Sequence, residues 1–252
     1  MHRRFQKLLY FLIPVILFLI IWHVFSLTFS NSQLLPSPIV VFETLADSLK
    51  EDLLKDVIAS VQRVVIGFLV AAILGIFLGM LSGMNILISR LVSPILELLR
   101  PIPPIAWIPL AILWFGLGNN PAYFLVFLGA FFPIFTNTYF GMSTIEENYK
   151  RAAYSLGATK KKIIFDILLP ASLPHMFVGL KVGLGIGWMA VITAELVGAQ
   201  SGLGYMIQMN RVLLNVPKVI VGMVAIGIVG FLLNILIVKI EHKLIPWHKK
   251  LN

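Results

Sequence analysis

Cysteine is absent from the 252-residue chain. Disulfides and thiolate metal ligands are therefore excluded, while the compartment stays open. Charge is scarce: Asp, Glu, Lys and Arg make up 12% of the residues, against about 25% in ordinary soluble domains. There are 11 acids and five histidines, with no HExxH pattern and no other cluster that would hold a metal. No GxxxxGK[ST] phosphate loop occurs, and "GATKKK" lacks the glycine required before the lysine. Ser201-Gly202-Leu203-Gly204 does not form the GxSxG nucleophile turn. These absences lead us to expect no catalytic residue, no metal and no nucleotide site on the chain. It should move something rather than transform it.

Apolar residues are what the chain has in abundance: 59% of it, distributed along its whole length. A soluble fold of this size cannot hide that much apolar surface, so an all-α membrane domain is expected. The net charge of +9 does not point to nucleic acid, because the lysines and arginines stand at the ends of apolar runs. There they set topology and meet lipid headgroups. The start, "MHRRFQKLLYFLIPVILFLIIWHVFSL", has a basic head but no small-residue cleavage site. It reads as an uncleaved first span rather than a signal peptide.

Six runs approach the length of about 20 residues needed to cross a bilayer: 8–28, 57–82, 91–115, 121–142, 174–198 and 217–238. The third carries Pro101, Pro103, Pro104 and Pro109 and must be kinked or broken. With the amino terminus inside, thirteen lysines and arginines fall on inner segments, among them Arg3, Arg4, Lys7, Lys150, Lys249 and Lys250, against four on outer ones. That excess puts both termini in the cytoplasm. The expected organisation is an amino-terminal span with an outer amphipathic segment (1–56), a core (57–238) holding a cytoplasmic loop (143–173), and a cytoplasmic tail (239–252). In the outer segment Phe42, Leu45, Leu49, Leu53 and Val57 recur at helical spacing, with Glu43, Asp47, Glu51, Asp52 and Asp56 between them. This predicts a helix on the outer membrane surface, either packing with a solvated face or touching substrate.

Gly67, Ala71, Gly75, Gly79 and Gly83 recur every four residues in the second span, as do Gly179, Gly183 and Gly187 in the fifth. Such strips let another helix backbone come close; they serve packing, or packing together with sliding during transport. Ionisable groups inside the membrane are few and usually face a partner or a cavity. Glu97 and Arg100, three apart, are expected to pair on one helix face, or to line a pathway. Glu195, near the outer end of the fifth span, is read as a structural or gating bond, or a substrate contact. Lys181 is expected to snorkel. Asn137, Thr193 and Asn234 are weaker candidates for bonds between helices. His23 and His175 have no ligand-like spacing.

The stretch "RAAYSLGATKKKIIFDILLP" is polar and basic among apolar segments. Residues 145–156 should form a short helix, with Glu146 and Glu147 near its start and Lys150 and Arg151 further on. Gly157 permits the left-handed turn that ends it. A second helix follows, with Ile163, Ile164, Ile167 and Leu168 on one face, closed by Pro170 and Pro174. The expected result is a helix-turn-helix knob suited to a groove on a cytoplasmic partner.

This stretch resembles the EAA loop of ABC importer permeases, whose pattern is E-A-A, three residues, G, nine residues, I-x-L-P. Ala152, Ala153, Gly157, Ile167, Leu169 and Pro170 stand at that spacing, and Arg151 replaces the leading glutamate. "LLPSP", "SVQRVVIGF", "RPIPPIAWIPLAILWFGLG", "FFPIFTNTYFG", "LPASLPHMFVGLKVG" and "AELVGAQSGLGYMI" are similar to permeases of the nitrate, sulfonate, taurine and bicarbonate branch. The resemblance implies a type I (MetI-like) importer fold of six transmembrane helices in the inner membrane. It also implies a second permease subunit, here a homodimer, and an extracytoplasmic solute-binding protein. Cytoplasmic ATPase subunits would carry the ATP and magnesium. The substrate implied is a small anion. An ion-gradient-driven secondary transporter and a non-transporting membrane scaffold stay open as alternatives.

Overall fold

The computed structural model of the chain describes residues 2–28 and 34–247. The side chains of Arg3, Arg4, Lys7, Glu147 and Lys150, and residues 248–252 with Lys249 and Lys250, lie outside the described residues. Charge placements read from them rest on sequence alone.

Ten helices carry the described chain: α1 His2–Thr28, α2 Pro38–Lys50, α3 Leu53–Met84, α4 Ile86–Leu99, α5 Ile108–Phe115, α6 Asn119–Ser143, α7 Glu147–Ser155, α8 Lys160–Gly198, α9 Leu203–Val212 and α10 Val216–Leu244. Local chemistry sets several of their starts. Ser37 caps α2, its hydroxyl accepting from the Val40 amide, with Pro38 at the first helical position. Asn85 turns the chain sharply from α3 into α4 and accepts from the Leu87 amide at 2.9 Å. Asn215 accepts from the Lys218 amide to open α10.

Among the described residues, α3, α6, α8 and α10 are each long and apolar enough to cross a membrane. The expected third span is broken: α4 and the segment Pro104–Phe115, which contains α5, meet at 85°. They form one bent span or a re-entrant loop. Proline explains the break, since Pro101, Pro103 and Pro104 cannot donate the amide bonds a continuous helix needs. Helix α1 contributes a further apolar stretch, Leu12–Thr28.

Helix α6 occupies the middle of the core. On one side Gly67, Gly75, Gly79 and Gly83 of α3 face Val126, Ile134, Thr138 and Met142 in turn, at a constant offset. The two helices therefore run parallel in fixed register. On the other side Gly187, Gly183 and Gly179 of α8 face Val126, Ala130 and Pro133, so α8 runs antiparallel to α6. A Cβ at Gly79 would stand 2.7 Å from Thr138 Cβ and 2.9 Å from the Phe135 carbonyl. In lipid, burial of apolar surface does not itself draw helices together; close van der Waals packing does. The two small-residue strips supply that closeness on both flanks of α6.

The outer amphipathic segment differs from the sequence expectation. It is two elements, because the helix ends at Lys50 and a turn at Glu51–Asp52 precedes α3. Val41 and Ser48 form its buried face, while Phe42 and Leu49 are exposed. Leu53 and Val57 belong to α3. The last helix also runs past residue 238 to Leu244, and Ile245 beyond it is buried against Phe177 and Ile237.

Candidate functional site

Two features stand at opposite ends of the bundle: a hairpin and a buried polar clasp. The hairpin consists of α7 and the first turns of α8. Gly157, at φ +79, stands just past the end of α7. Its amide bonds to the Tyr154 carbonyl at 2.9 Å, and the Ala158 amide reaches back to the Ala153 carbonyl at 3.0 Å. This pair of bonds is a Schellman closure, and the left-handed residue within it favours glycine. Thr159 then caps α8, accepting from the Lys162 amide. Ala153, Ile163 and Leu168 bury themselves with Met142 and Met176, fixing the knob to α6 and α8. Ala152 faces outward, Ile167, Leu169 and Pro170 are half-buried, and Leu156 at the turn is 88% exposed.

The prolines do not close the second hairpin helix, as their sequence positions suggested. Helix α8 continues through Pro170 and Pro174 to Gly198. It does so by widening to π-helix over Ile163–Leu168, where the Leu169 amide bonds to the Ile164 carbonyl, five residues back. A wider turn relieves the ring-to-carbonyl clash that a proline imposes on an α-helix.

The clasp is built around Arg63 of α3 and Glu195 of α8, which are 3% and 1% exposed. Arg63 Nη1 donates to Glu195 Oε1 at 2.6 Å and to the Ser201 carbonyl at 2.7 Å. Nη2 donates to Asn119 Oδ1 and to Ser201 Oγ, both at 2.7 Å, and Nε to Asn119 Oδ1 at 2.9 Å. All five donors of the guanidinium fork thus have acceptors. The far side of the carboxylate is filled as well. Glu195 Oε2 accepts from Ser60 Oγ at 2.8 Å and from the Gly204 amide at 3.0 Å.

Helix α9 begins inside this network. The amides of Gly202, Leu203 and Gly204 have no partner within the helix. They donate instead to Asp56 Oδ1 at 2.7 Å, Ser60 Oγ at 2.9 Å and Glu195 Oε2. Two carboxylates at a helix N-terminus also suit its dipole. Gly202 has φ +105, and a Cβ there would run into the Glu195 carboxylate and Arg63. Glycine is required at this position both for its backbone angle and for space. A second ion pair, Lys181 Nζ to Glu241 Oε2 at 3.0 Å, ties α8 to the end of α10.

The structure therefore unites Glu195 with a set of residues that sequence reasoning did not connect to it: Asp56, Ser60, Arg63, Asn119 and Ser201–Gly204. The missed signal was Arg63 itself, an arginine inside a span, which requires a named partner. Lys181 does not snorkel free but pairs with Glu241. Glu97 and Arg100 are both exposed and form no ion pair with each other. Asn137 and Thr193 bond within their own helices, to the Pro133 carbonyl at 2.9 Å and the Met189 carbonyl at 2.8 Å, rather than between helices. Asn234 is exposed. Among the described residues no group of acids and histidines could hold a metal ion.

A small-residue core around α6, a broken proline-rich span and an end-on helical hairpin make up an all-helical, membrane-spanning permease fold. A chain in a crystal structure of the MetNI methionine ABC transporter shares that fold, with a TM-score of 0.68 at 21% identity, covering 78% of this chain and 98% of that one. Residues 56–246 match the family described as binding-protein-dependent transport system inner membrane component, and the chain belongs to it. The taurine transport system permease protein TauC of Escherichia coli (strain K12) is 37% identical over 158 residues, 63% of this chain and 58% of that protein. The nitrate import permease protein NrtB of Synechocystis sp. is 33% identical over 159 residues, again 63% and 58%. The chain thus spans about three-fifths of the length of these relatives. They fall in the branch whose resemblance the sequence carries.

Proposed function

We propose that the chain is the translocation subunit of a binding-protein-dependent ABC importer for a small anion, such as a sulfonate, taurine, nitrate or bicarbonate. The observation that carries this reading is the hairpin. It is a compact knob with an exposed apolar tip, and its second helix continues without a break into a membrane-crossing helix. That construction suits a chain with no nucleotide site of its own. A partner ATPase, holding ATP and magnesium, grips the knob from the cytoplasm, and closure of two ATPases moves α8.

In this reading two copies of the chain form the pathway, an external binding protein delivers the solute, and both termini lie in the cytoplasm. The clasp end faces outward. With all five Arg63 donors and both Glu195 oxygens bonded, the clasp holds α3, the start of α6, the end of α8 and α9 as one block. Conformational change then falls between such blocks, because a fully bonded buried ion pair is costly to open.

Reconstitution tests the assignment. The chain is co-purified with an ABC ATPase and placed in liposomes with a solute-binding protein. ATP-dependent uptake of taurine or nitrate is expected. Gradient-driven uptake by the chain alone would replace this reading with a secondary transporter, and partner binding without flux would replace it with a scaffold.

A further inference from the structure

The break between α4 and α5 opens onto a cleft of about 250 Å³. Its walls come from Ile102 at the break, Phe132 and Pro133 of α6, and Val182 and Ile186 of α8. Gly129 and Asn137, also in the wall, are ten and eighteen residues into α6. At about 1.5 Å per residue that places them about 15 and 27 Å along a helix about 37 Å long, within the length that a hydrocarbon layer about 30 Å thick would enclose.

Arg100 is the one titratable residue among those lining this cleft. Two basic side chains on the crossing helices are matched: Arg63 by the clasp and Lys181 by Glu241. The Arg100 side chain has no hydrogen bond or ion pair among the described residues, and Glu97, one turn earlier, is not part of the lining. A cation at membrane depth is expensive unless a counter-charge meets it. The planar guanidinium fork presents paired N–H donors that match the oxygens of a carboxylate, nitrate or sulfonate. Close by, Thr136 offers a hydroxyl. Asn137 spends one of its two amide N–H groups on the Pro133 carbonyl, which leaves the other as a donor. The apolar walls lower the local dielectric and strengthen any charge contact made inside.

We propose that this cleft is a transit subsite for a small oxyanion, with Arg100 as the residue that selects for negative charge. The proposal deepens the reading of the chain as an importer permease and rests on it. Arg100 holds the anion on its way through, loosely enough to release it, because a single cation with apolar walls gives charge selection without a closed cage.

The absence of native cysteine makes a direct test possible. In the assembled transporter, Thr136→Cys gives this chain a single thiol, and its modification is followed by the intact mass of this chain. The rates of an anionic (sulfonatoethyl) and a cationic (trimethylammonioethyl) methanethiosulfonate are compared. Adding Arg100→Gln should lower the anionic-to-cationic rate ratio at least fivefold, while Arg100→Lys keeps most of it. An unchanged ratio, or a thiol that neither reagent reaches from either side of the membrane, overturns the proposal. In parallel, Arg100→Gln should cut ATP-driven uptake of taurine or nitrate at least tenfold, with partial rescue by Arg100→Lys. Wild-type complex that takes up none of taurine, nitrate, an alkanesulfonate and bicarbonate contradicts the importer reading, and the thiol ratio then decides the cleft independently of uptake. Undiminished uptake by Arg100→Gln overturns the subsite alone.

Discussion

The Arg63 guanidinium and the Glu195 carboxylate, 132 residues apart in sequence, meet at 2.6 Å with almost no solvent contact. Arg63 is bonded further to Asn119 at the start of α6 and to Ser201 ahead of α9, and Glu195 to Ser60 on α3 and Gly204 in α9. The pair is a junction rather than an isolated salt bridge.

Removing one partner leaves the other buried and uncompensated, at a cost of about 3–5 kcal/mol. Arg63→Ala and Glu195→Ala are each expected to lower the melting temperature of the detergent-solubilised protein sharply. The double variant should lose little beyond the worse single one, since the second change removes a charge that is already stranded. Additive losses in a double-mutant cycle would show that the two side chains are not coupled.

Gly202→Ala should destabilise the fold, because the added methyl meets the Glu195 carboxylate and the backbone is held at φ +105. Gly185→Ala is the matched control: nothing lies within 4 Å of a Cβ there, and alanine favours a helix over glycine by about 1 kcal/mol. Thermal unfolding should separate the two variants, with Gly185→Ala at or above wild type.

Gly79→Leu should impair assembly, since even a Cβ would press on the Thr138 side chain and the Phe135 carbonyl. Gly227→Leu, at a position with open space around its Cβ, should assemble normally. Size-exclusion profiles of the two purified proteins provide the comparison, and a monodisperse Gly79→Leu protein of wild-type stability would contradict close α3–α6 packing.

Gly157→Val replaces the left-handed residue of the hairpin turn with a β-branched side chain that resists that conformation. The knob should lose its shape while insertion of the spans is spared. Transport in vesicles is expected to fall severalfold at an unchanged amount of membrane-embedded protein. Uptake equal to wild type would mean that the turn geometry plays no part in coupling.

The features legible in the sequence are those encoded over short distances. Gly157 announced its turn because one residue type answers one backbone need. The four-residue glycine periodicity announced two close-packed helix faces, though not that α6 fills both, and the prolines after Arg100 announced the broken span. The clasp was not legible, because its members come from separate stretches of chain and no local pattern ties Ser60 or Asn119 to Glu195. Pro170 misled for a related reason. A proline normally ends a helix, and only the π-register bond from Leu169 to Ile164 shows how this one is accommodated. The Glu97–Arg100 spacing allowed a pair, but spacing permits contact without requiring it, and the two side chains remain apart.

Helix α8 carries the hairpin's second arm at one end and the Glu195 carboxylate near the other. Between them the helix passes through the π-turn at Ile163–Leu168 and then Pro170 and Pro174, the places along it where bending is easiest. In the proposed importer a load on the hairpin would travel along one continuous backbone, so the element would work as a lever with a pliant wrist near the hairpin and a far arm bolted to its neighbours.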